Sequence, residues 1–148
     1  MNTTMKIAFV CYLLVALASV AGGLLYFFAS EIMPYHQEVI GMDWEKVDPR
    51  FQKMFLAFLN GSGLSGFIQG VALIILIFIP FRKGETWARW AIPVLILPGS
   101  IYLQYITLHL KSTMQASTPW QLPAIMLLLT IVAIILSYVG PKKPTPST

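Results

Sequence analysis

The sequence predicts an all-α integral membrane protein: a four-transmembrane-helix bundle with an ordered amphipathic extracytoplasmic loop between its first two helices. Hydrophobic residues make up 57% of the 148-residue chain and charged residues only 11%, whereas a soluble domain carries about 25% charged residues. Four uncharged stretches, residues 7–29, 54–81, 90–110 and 112–141, each reach the roughly 20 apolar residues that cross a bilayer as a helix. Soluble enzymes and nucleic-acid-binding proteins are therefore excluded.

The first span is expected to be retained. Lys6 precedes the run and Ser19-Val20-Ala21 could be cleaved as in a signal peptide, but the uncharged run continues through Tyr26 and is too long for a signal-peptide core. Asp48 as N-cap followed by Pro49 predicts the start of the second span. We expect one domain over residues 1–141, with spans near 7–29, 50–80, 88–110 and 120–140, and a disordered, basic, proline-rich tail over 142–148.

The distribution of charge predicts the orientation of the bundle. The segment between the first two spans holds five of the six acidic residues, whereas the loop 82–89 carries three of the ten Lys and Arg residues and one acid. Basic loops stay on the cytoplasmic side. We therefore expect a multi-pass protein of the bacterial cytoplasmic (inner) membrane with both termini in the cytoplasm.

Polar side chains are predicted to concentrate in the outer half of the bundle. An amide in the bilayer must face protein or a water-filled cavity, because an unpaired polar group there is costly. Either these groups hydrogen-bond between helices, or they line a pocket for a lipid-like, quinone-like or sterol-like molecule. The pocket candidates are Asn60, Gln69, Tyr102, Gln104, Tyr105 and His109, with Glu31 and His36 near the mouth.

Small residues mark one face of the second span. Ser62, Gly66 and Gly70 are spaced by four residues, and small residues allow two helix backbones to approach closely in lipid. This face either packs against the first span, which offers Ser19 and Gly23, or forms a contact in a homo-oligomer.

The loop between the second and third spans carries the candidate contacts for anionic lipid, which are Arg82, Lys83 and Arg89. Arginines at the level of the lipid phosphates favour such contacts. No metal or cofactor is expected, because Cys11 is the only cysteine and the two histidines show no paired ligand spacing.

The same loop carries a family resemblance. The run Pro80-Phe81-Arg82-x-Gly84-Glu85-x-Trp87-Ala88-Arg89 resembles the loop of small bacterial four-helix membrane proteins of unsettled function, which share a layout with the DoxX-like and EXPERA (sterol-isomerase-like) groups. Thr118-Pro119-Trp120 and Asp48-Pro49-Arg50 fit that layout. The resemblance implies a four-helix bundle. The isomerase chemistry of the EXPERA group is not carried over, because that chemistry needs carboxylates inside the bundle.

The leading functional hypothesis is a non-enzymatic membrane protein, an accessory or lipid-interacting component. Its expected partners are membrane lipids and either a second copy of the chain or a partner membrane protein, with no nucleic acid. The alternative is a binder of, or an enzyme acting on, a lipophilic ligand in the outer half. A channel is disfavoured, because the inner halves of the second and fourth spans supply almost only Ile, Leu, Val and Ala, with Thr130 near the middle of the fourth.

Overall fold

The computed structural model describes residues 1–139. Those residues are 82% helical and contain no strand. Four of the helices are long and apolar enough to cross a membrane, which confirms an all-α chain with the helix content of a multi-pass membrane protein. The predicted disordered tail lies outside the described residues. The helices are α1 (Thr3–Phe27), α2 (Pro34–Ile40), α3 (Pro49–Leu76), α4 (Ala88–Met114) and α5 (Gln121–Val139), with a 3-10 turn at Trp44–Lys46 and a π-helical turn at Ile77–Phe81 that extends α3.

Local capping explains where two of the long helices begin. The side chain of Asn2 accepts a hydrogen bond of 3.1 Å from the amide of Met5 and so caps α1. The side chain of Asp48 accepts a bond of 2.8 Å from the amide of Arg50, and Pro49 occupies the first turn of α3. The helix start predicted at Asp48-Pro49 is confirmed.

The connection between α3 and α4 is short because α3 ends in a π turn. Pro80 lies inside this turn and lacks the amide hydrogen that would continue the α-helix. The amide of Arg82 bonds instead to the carbonyl of Ile77 at 3.1 Å. Gly84 follows with a φ of 80°, which suits glycine. The chain reverses at Gly84, so α4 runs antiparallel to α3.

The four long helices form a bundle with one open side. Helix α1 packs most extensively against α3 and also against α5, and α4 packs mainly against α5. The contact between α3 and α4 is slight. The order around the bundle is therefore α3, α1, α5, α4, with a gap between the first and last of these.

Close backbone approach defines the contact between α1 and α3. A Cβ atom added to Gly23 would lie 2.8 Å from the carbonyl oxygen of Gly63, and one added to Gly63 would lie 2.8 Å from the carbonyl oxygen of Gly23. A Cβ added to Gly70 would lie 2.8 Å from the amide nitrogen of Val20. These helices touch through their main chains, and dispersion between close backbones is what holds helices together in lipid.

The buried core occupies the half of the bundle that contains Met1. Tyr12 is fully buried and packs edge-on against Phe81 at 5.4 Å between ring centroids. Contributions come from all four long helices. The buried members of the cluster are Met5, Ala8, Cys11, Tyr12, Val15, Ala16, Leu73, Ile77, Phe81, Ala88, Ile92, Ile96 and Ala133.

Candidate functional site

The two ends of the bundle differ in chemistry. The basic end is defined here by residues 1–5 and 82–89, and the loop end by residues 28–48 and 115–120. A cavity of about 220 Å³ lies at the basic end. It is lined by Met1, Asn2, Met5, Arg82, Lys83, Gly84 and Arg89. The π turn of α3 brings Arg82 and Lys83 to the cavity, and the first turn of α4 brings Arg89.

The cations at the basic end have no acidic partner within residues 1–139. The one ion pair within residues 1–139 joins Lys46 to Asp43 at the loop end, at 2.6 Å. The acid of the basic loop, Glu85, instead accepts a hydrogen bond from the indole of Trp87. The Nε of Arg89 is buried and has no hydrogen-bond partner among the described residues. This arrangement can accept an anion, because donors converge on the cavity while the neighbouring carboxylate is engaged elsewhere.

A larger groove of about 630 Å³ lies at the loop end, between the last turns of α4 and the start of α5. The rings of Tyr105 and His109 stack nearly parallel, with centroids 5.8 Å apart and an interplanar angle of 12°. The ammonium of Lys111 lies 4.9 Å from the centroid of the Trp120 ring. The groove is lined by Tyr105, Leu108, His109, Lys111, Ser112 and Trp120.

Two of the eight predicted pocket residues line a cavity described above. Tyr105 and His109 line the larger groove, and none of the other six lines either cavity described above. Tyr102 is 65% exposed on α4. Gln104 is half-buried, and its Oε1 has no hydrogen-bond partner within residues 1–139. Glu31 is exposed just beyond α1.

Two amides of α3 are bound to main-chain carbonyls of other helices. The Nδ2 of Asn60 donates to the carbonyls of Tyr26, Phe27 and Ala29 at 2.9, 2.8 and 3.0 Å, so it caps the end of α1. The Nε2 of Gln69 donates to the carbonyl of Leu95 across the open side of the bundle. Both amides therefore join helices.

Of the small-residue face predicted on the second span, two members lie in the α1–α3 contact. Gly70 is buried there, and a Cβ on Gly66 would lie 3.5 Å from the Cα of Gly23. Ser62 is exposed, and its hydroxyl donates to the carbonyl of Leu59 in its own helix. Gly63 takes the position in this contact that spacing alone assigned to Ser62.

A cluster of aromatic rings ties α2 to the end of α1. The hydroxyls of Tyr26 and Tyr35 share a hydrogen bond, and the rings of Tyr35 and His36 are 4.2 Å apart. Burial, followed by the hydrogen bond to Tyr26, raises the pKa of Tyr35, and burial lowers the pKa of His36. The Nδ1 of His36 accepts a bond from the amide of Met33. Sequence reasoning missed Tyr35, because no spacing pairs it with Tyr26.

Comparison with known proteins assigns neither a family nor a function to this chain. No protein-family model, no curated protein and no solved structure matches this chain. The resemblance to DoxX-like and EXPERA-like proteins therefore stays a prediction. Within residues 1–139, no group of three His, Cys, Asp or Glu side chains is placed to hold a metal ion.

Proposed function

We propose that this chain is a non-enzymatic, lipid-interacting protein of the bacterial cytoplasmic membrane, and that its basic end binds the headgroups of anionic phospholipids. The observation that supports the proposal is the 220 Å³ cavity lined by Arg82, Lys83 and Arg89, none of which pairs with a carboxylate within residues 1–139. An accessory role beside a second copy or a partner membrane protein is compatible with this activity.

Arg89 is the residue on which the argument depends most. A buried donor without an acceptor costs about 1–3 kcal/mol, and more when it is charged. A guanidinium matches a phosphate through two parallel hydrogen bonds, and these charge-assisted bonds are stronger than neutral ones. A phosphate oxygen in the cavity would satisfy the Nε of Arg89, which the described residues leave without a partner.

The N-terminus of α1 also favours binding of an anionic headgroup in the cavity. Residues Met1, Asn2 and Met5 line the cavity beside the three cations, and a helix N-terminus carries about half a positive charge from its free amide groups. Asn2 caps the amide of Met5. The other free amide groups lie in the same first turn of α1. The helix dipole and the charges of the three basic side chains therefore both favour an anionic ligand.

The placement of the basic loop supports the proposed orientation. Basic loops face the cytoplasm, and the cytoplasmic leaflet attracts juxtamembrane Lys and Arg with about 1 kcal/mol per residue. Three such residues would contribute about 3 kcal/mol, or somewhat more than a hundredfold in affinity. Convergence of the three cations on one cavity would add selectivity for a headgroup over diffuse surface charge.

Polar groups elsewhere support a non-enzymatic role. The two amides of α3, Asn60 and Gln69, donate to backbone carbonyls, so they act in helix packing. Glu31 and His109 are exposed, His36 lies within α2, and no ion pair joins any two of the three within residues 1–139. General acid–base catalysis needs such groups positioned together around a substrate.

Native mass spectrometry of the protein in nanodiscs that contain phosphatidylcholine and phosphatidylglycerol tests the proposal. We expect retained phosphatidylglycerol that falls by about tenfold or more in the double variant Arg82→Gln/Lys83→Gln. The matched control is Arg50→Gln/Lys53→Gln, which removes the same charge at the loop end. Equal retention in both double variants, or no preference for phosphatidylglycerol in the wild type, would overturn the proposal.

Arg89→Lys separates phosphate recognition from simple charge. This variant keeps the positive charge but cannot form the paired bonds of a guanidinium, so we expect weaker retention of phosphatidylglycerol at unchanged helix content by circular dichroism. Retention equal to the wild type would contradict the role of Arg89. The same spectra report whether the protein is a monomer or an oligomer.

A further inference from the structure

The groove at the loop end is a second candidate binding site, at the opposite end from the phospholipid site. It is an open depression of about 630 Å³ on the surface of the bundle. The connection between α4 and α5 shapes it. The buried hydroxyl of Thr118 donates to the carbonyl of Thr107 at 2.8 Å. This bond fixes the segment that leads to Trp120.

Polarity changes along the groove in one direction. Lys111 lies at the end of the groove nearest the loops, and Tyr105 lies six residues earlier on α4, about 9 Å deeper along the helix axis. Leu108 lies between them, and Tyr105 and Leu108 are 60% and 44% exposed. A cation at the mouth and apolar walls below it match a molecule with a charged head and an apolar tail.

The positive charge of the groove favours a ligand whose head group is negatively charged. Its lining contains no Asp or Glu, and Lys111 forms no ion pair within the described part of the chain. Its ammonium lies over the face of Trp120, a contact that holds the cation in place through the ring quadrupole. The ammonium of Lys111 therefore remains able to donate a hydrogen bond to an anionic oxygen of a ligand.

The number of cations limits what kind of anion fits. Lys111 is the one Lys or Arg in the lining, and the hydroxyl of Ser112 already donates to the carbonyl of His109 at 2.9 Å. A phosphate is usually bound by several donors or a guanidinium, as at the basic end. A single ammonium above one open apolar strip suits a carboxylate with one hydrocarbon chain.

We propose that this groove binds a single-chain amphiphile with a carboxylate head, of the long-chain fatty acid class. The carboxylate pairs with Lys111, and the chain lies along Leu108 and the stacked rings of Tyr105 and His109. The site is independent of the phospholipid site, because it shares no residue with the basic end.

The test uses the full chain in phosphatidylcholine nanodiscs with a photoactivatable sixteen-carbon fatty acid. Cross-linked peptides are mapped by mass spectrometry. We expect saturable labelling within residues 105–120 that palmitate displaces and that its uncharged methyl ester does not. Lys111→Gln should weaken binding by about tenfold, as expected for the loss of a charge-assisted bond. Lys53→Gln, which removes an exposed lysine outside the groove, should leave binding unchanged.

Three results would overturn the proposal. The first is labelling spread evenly over the exposed faces of the helices, and the second is equal competition by palmitate and its methyl ester. The third is displacement by phosphatidylglycerol as effective as displacement by palmitate, which would make the occupant a bulk phospholipid. Tyr105→Ala provides a second variant, because this exposed side chain can be removed without opening the core. It should shorten the retention of the probe without changing helix content.

Discussion

Replacing Gly63 by alanine should separate the two helices that form the strongest contact in the bundle. A Cβ at this position would lie 2.7 Å from the carbonyl carbon of Tyr26 and 2.8 Å from the carbonyl oxygen of Gly23. Both neighbours are backbone atoms of α1, so neither can rotate out of the way. The helices must therefore move apart.

The size of the effect follows from that geometry. The amide nitrogen of Phe27 is the nearest atom to the added Cβ, and even the 2.7 Å distance to the carbonyl carbon of Tyr26 must grow by about 0.7 Å to reach the 3.4 Å at which ordinary contact begins. A gap of 0.5–1 Å already removes about a quarter to a half of each dispersion contact along the interface. Overpacking of this kind costs about 1–3 kcal/mol, and the loss should appear in the free energy of unfolding.

Gly61→Ala is the matched control. No atom lies within 4 Å of a Cβ added to Gly61, and alanine is favoured over glycine within a helix by about 1 kcal/mol. Equilibrium unfolding in mixed micelles of mild detergent and dodecyl sulfate, followed by circular dichroism, compares the two variants. We expect Gly63→Ala to be less stable than the wild type and Gly61→Ala to be equal or more stable. Equal stabilities for the two variants would refute the backbone contact between α1 and α3.

Two further predictions concern the loop end. The pKa of His36 is lowered by burial from an ordinary value of 6.5, so its neutral form stabilises the fold above pH 6.5 and this contribution is lost as the pH falls through the lower folded-state pKa. Amide hydrogen exchange in α2, corrected for intrinsic rates, should therefore become faster as the pH falls from 7.5 to 5.5. His36→Gln should remove that change, whereas the control His109→Gln should not. Asn60→Leu should destabilise the protein by about 1–3 kcal/mol, because it leaves the final carbonyls of α1 without their donor; an unfolding midpoint equal to the wild type would contradict that capping role.

The helices were predictable because each depends on a local or periodic signal. Uncharged apolar runs predict the long helices, and Asp48 followed by Pro49 predicts where α3 begins. The contact face of α3 was less accessible to sequence reasoning. Residues three and four apart lie on the same side of a helix, so a spacing of four included Ser62, whereas the structure places Gly63 against α1.

The candidate pocket residues show more clearly what cannot be predicted from the sequence. Position along a span predicts how deep a side chain lies in the membrane, but it does not predict which neighbouring helix the side chain faces. Asn60 was predicted either to hydrogen-bond between helices or to line a pocket, and its Nδ2 donates to carbonyls 31–34 residues earlier in the chain. The cations of the basic loop lie close together in the sequence. Their position around one cavity could therefore be predicted without knowledge of the tertiary structure. The contribution of Met1 and Asn2 to that cavity depends on packing between distant segments.

The open side between α3 and α4 has a consequence for how the chain assembles. The first two long helices, α1 and α3, form a hairpin with its own extensive contact, whereas α4 makes most of its contacts with α5. Helices inserted in order from the ribosome would therefore form the first hairpin early, and α4 would wait for the last helix. The core around Tyr12 includes Ala133 of α5. It can close only when synthesis of α5 is complete, so the final span completes the bundle.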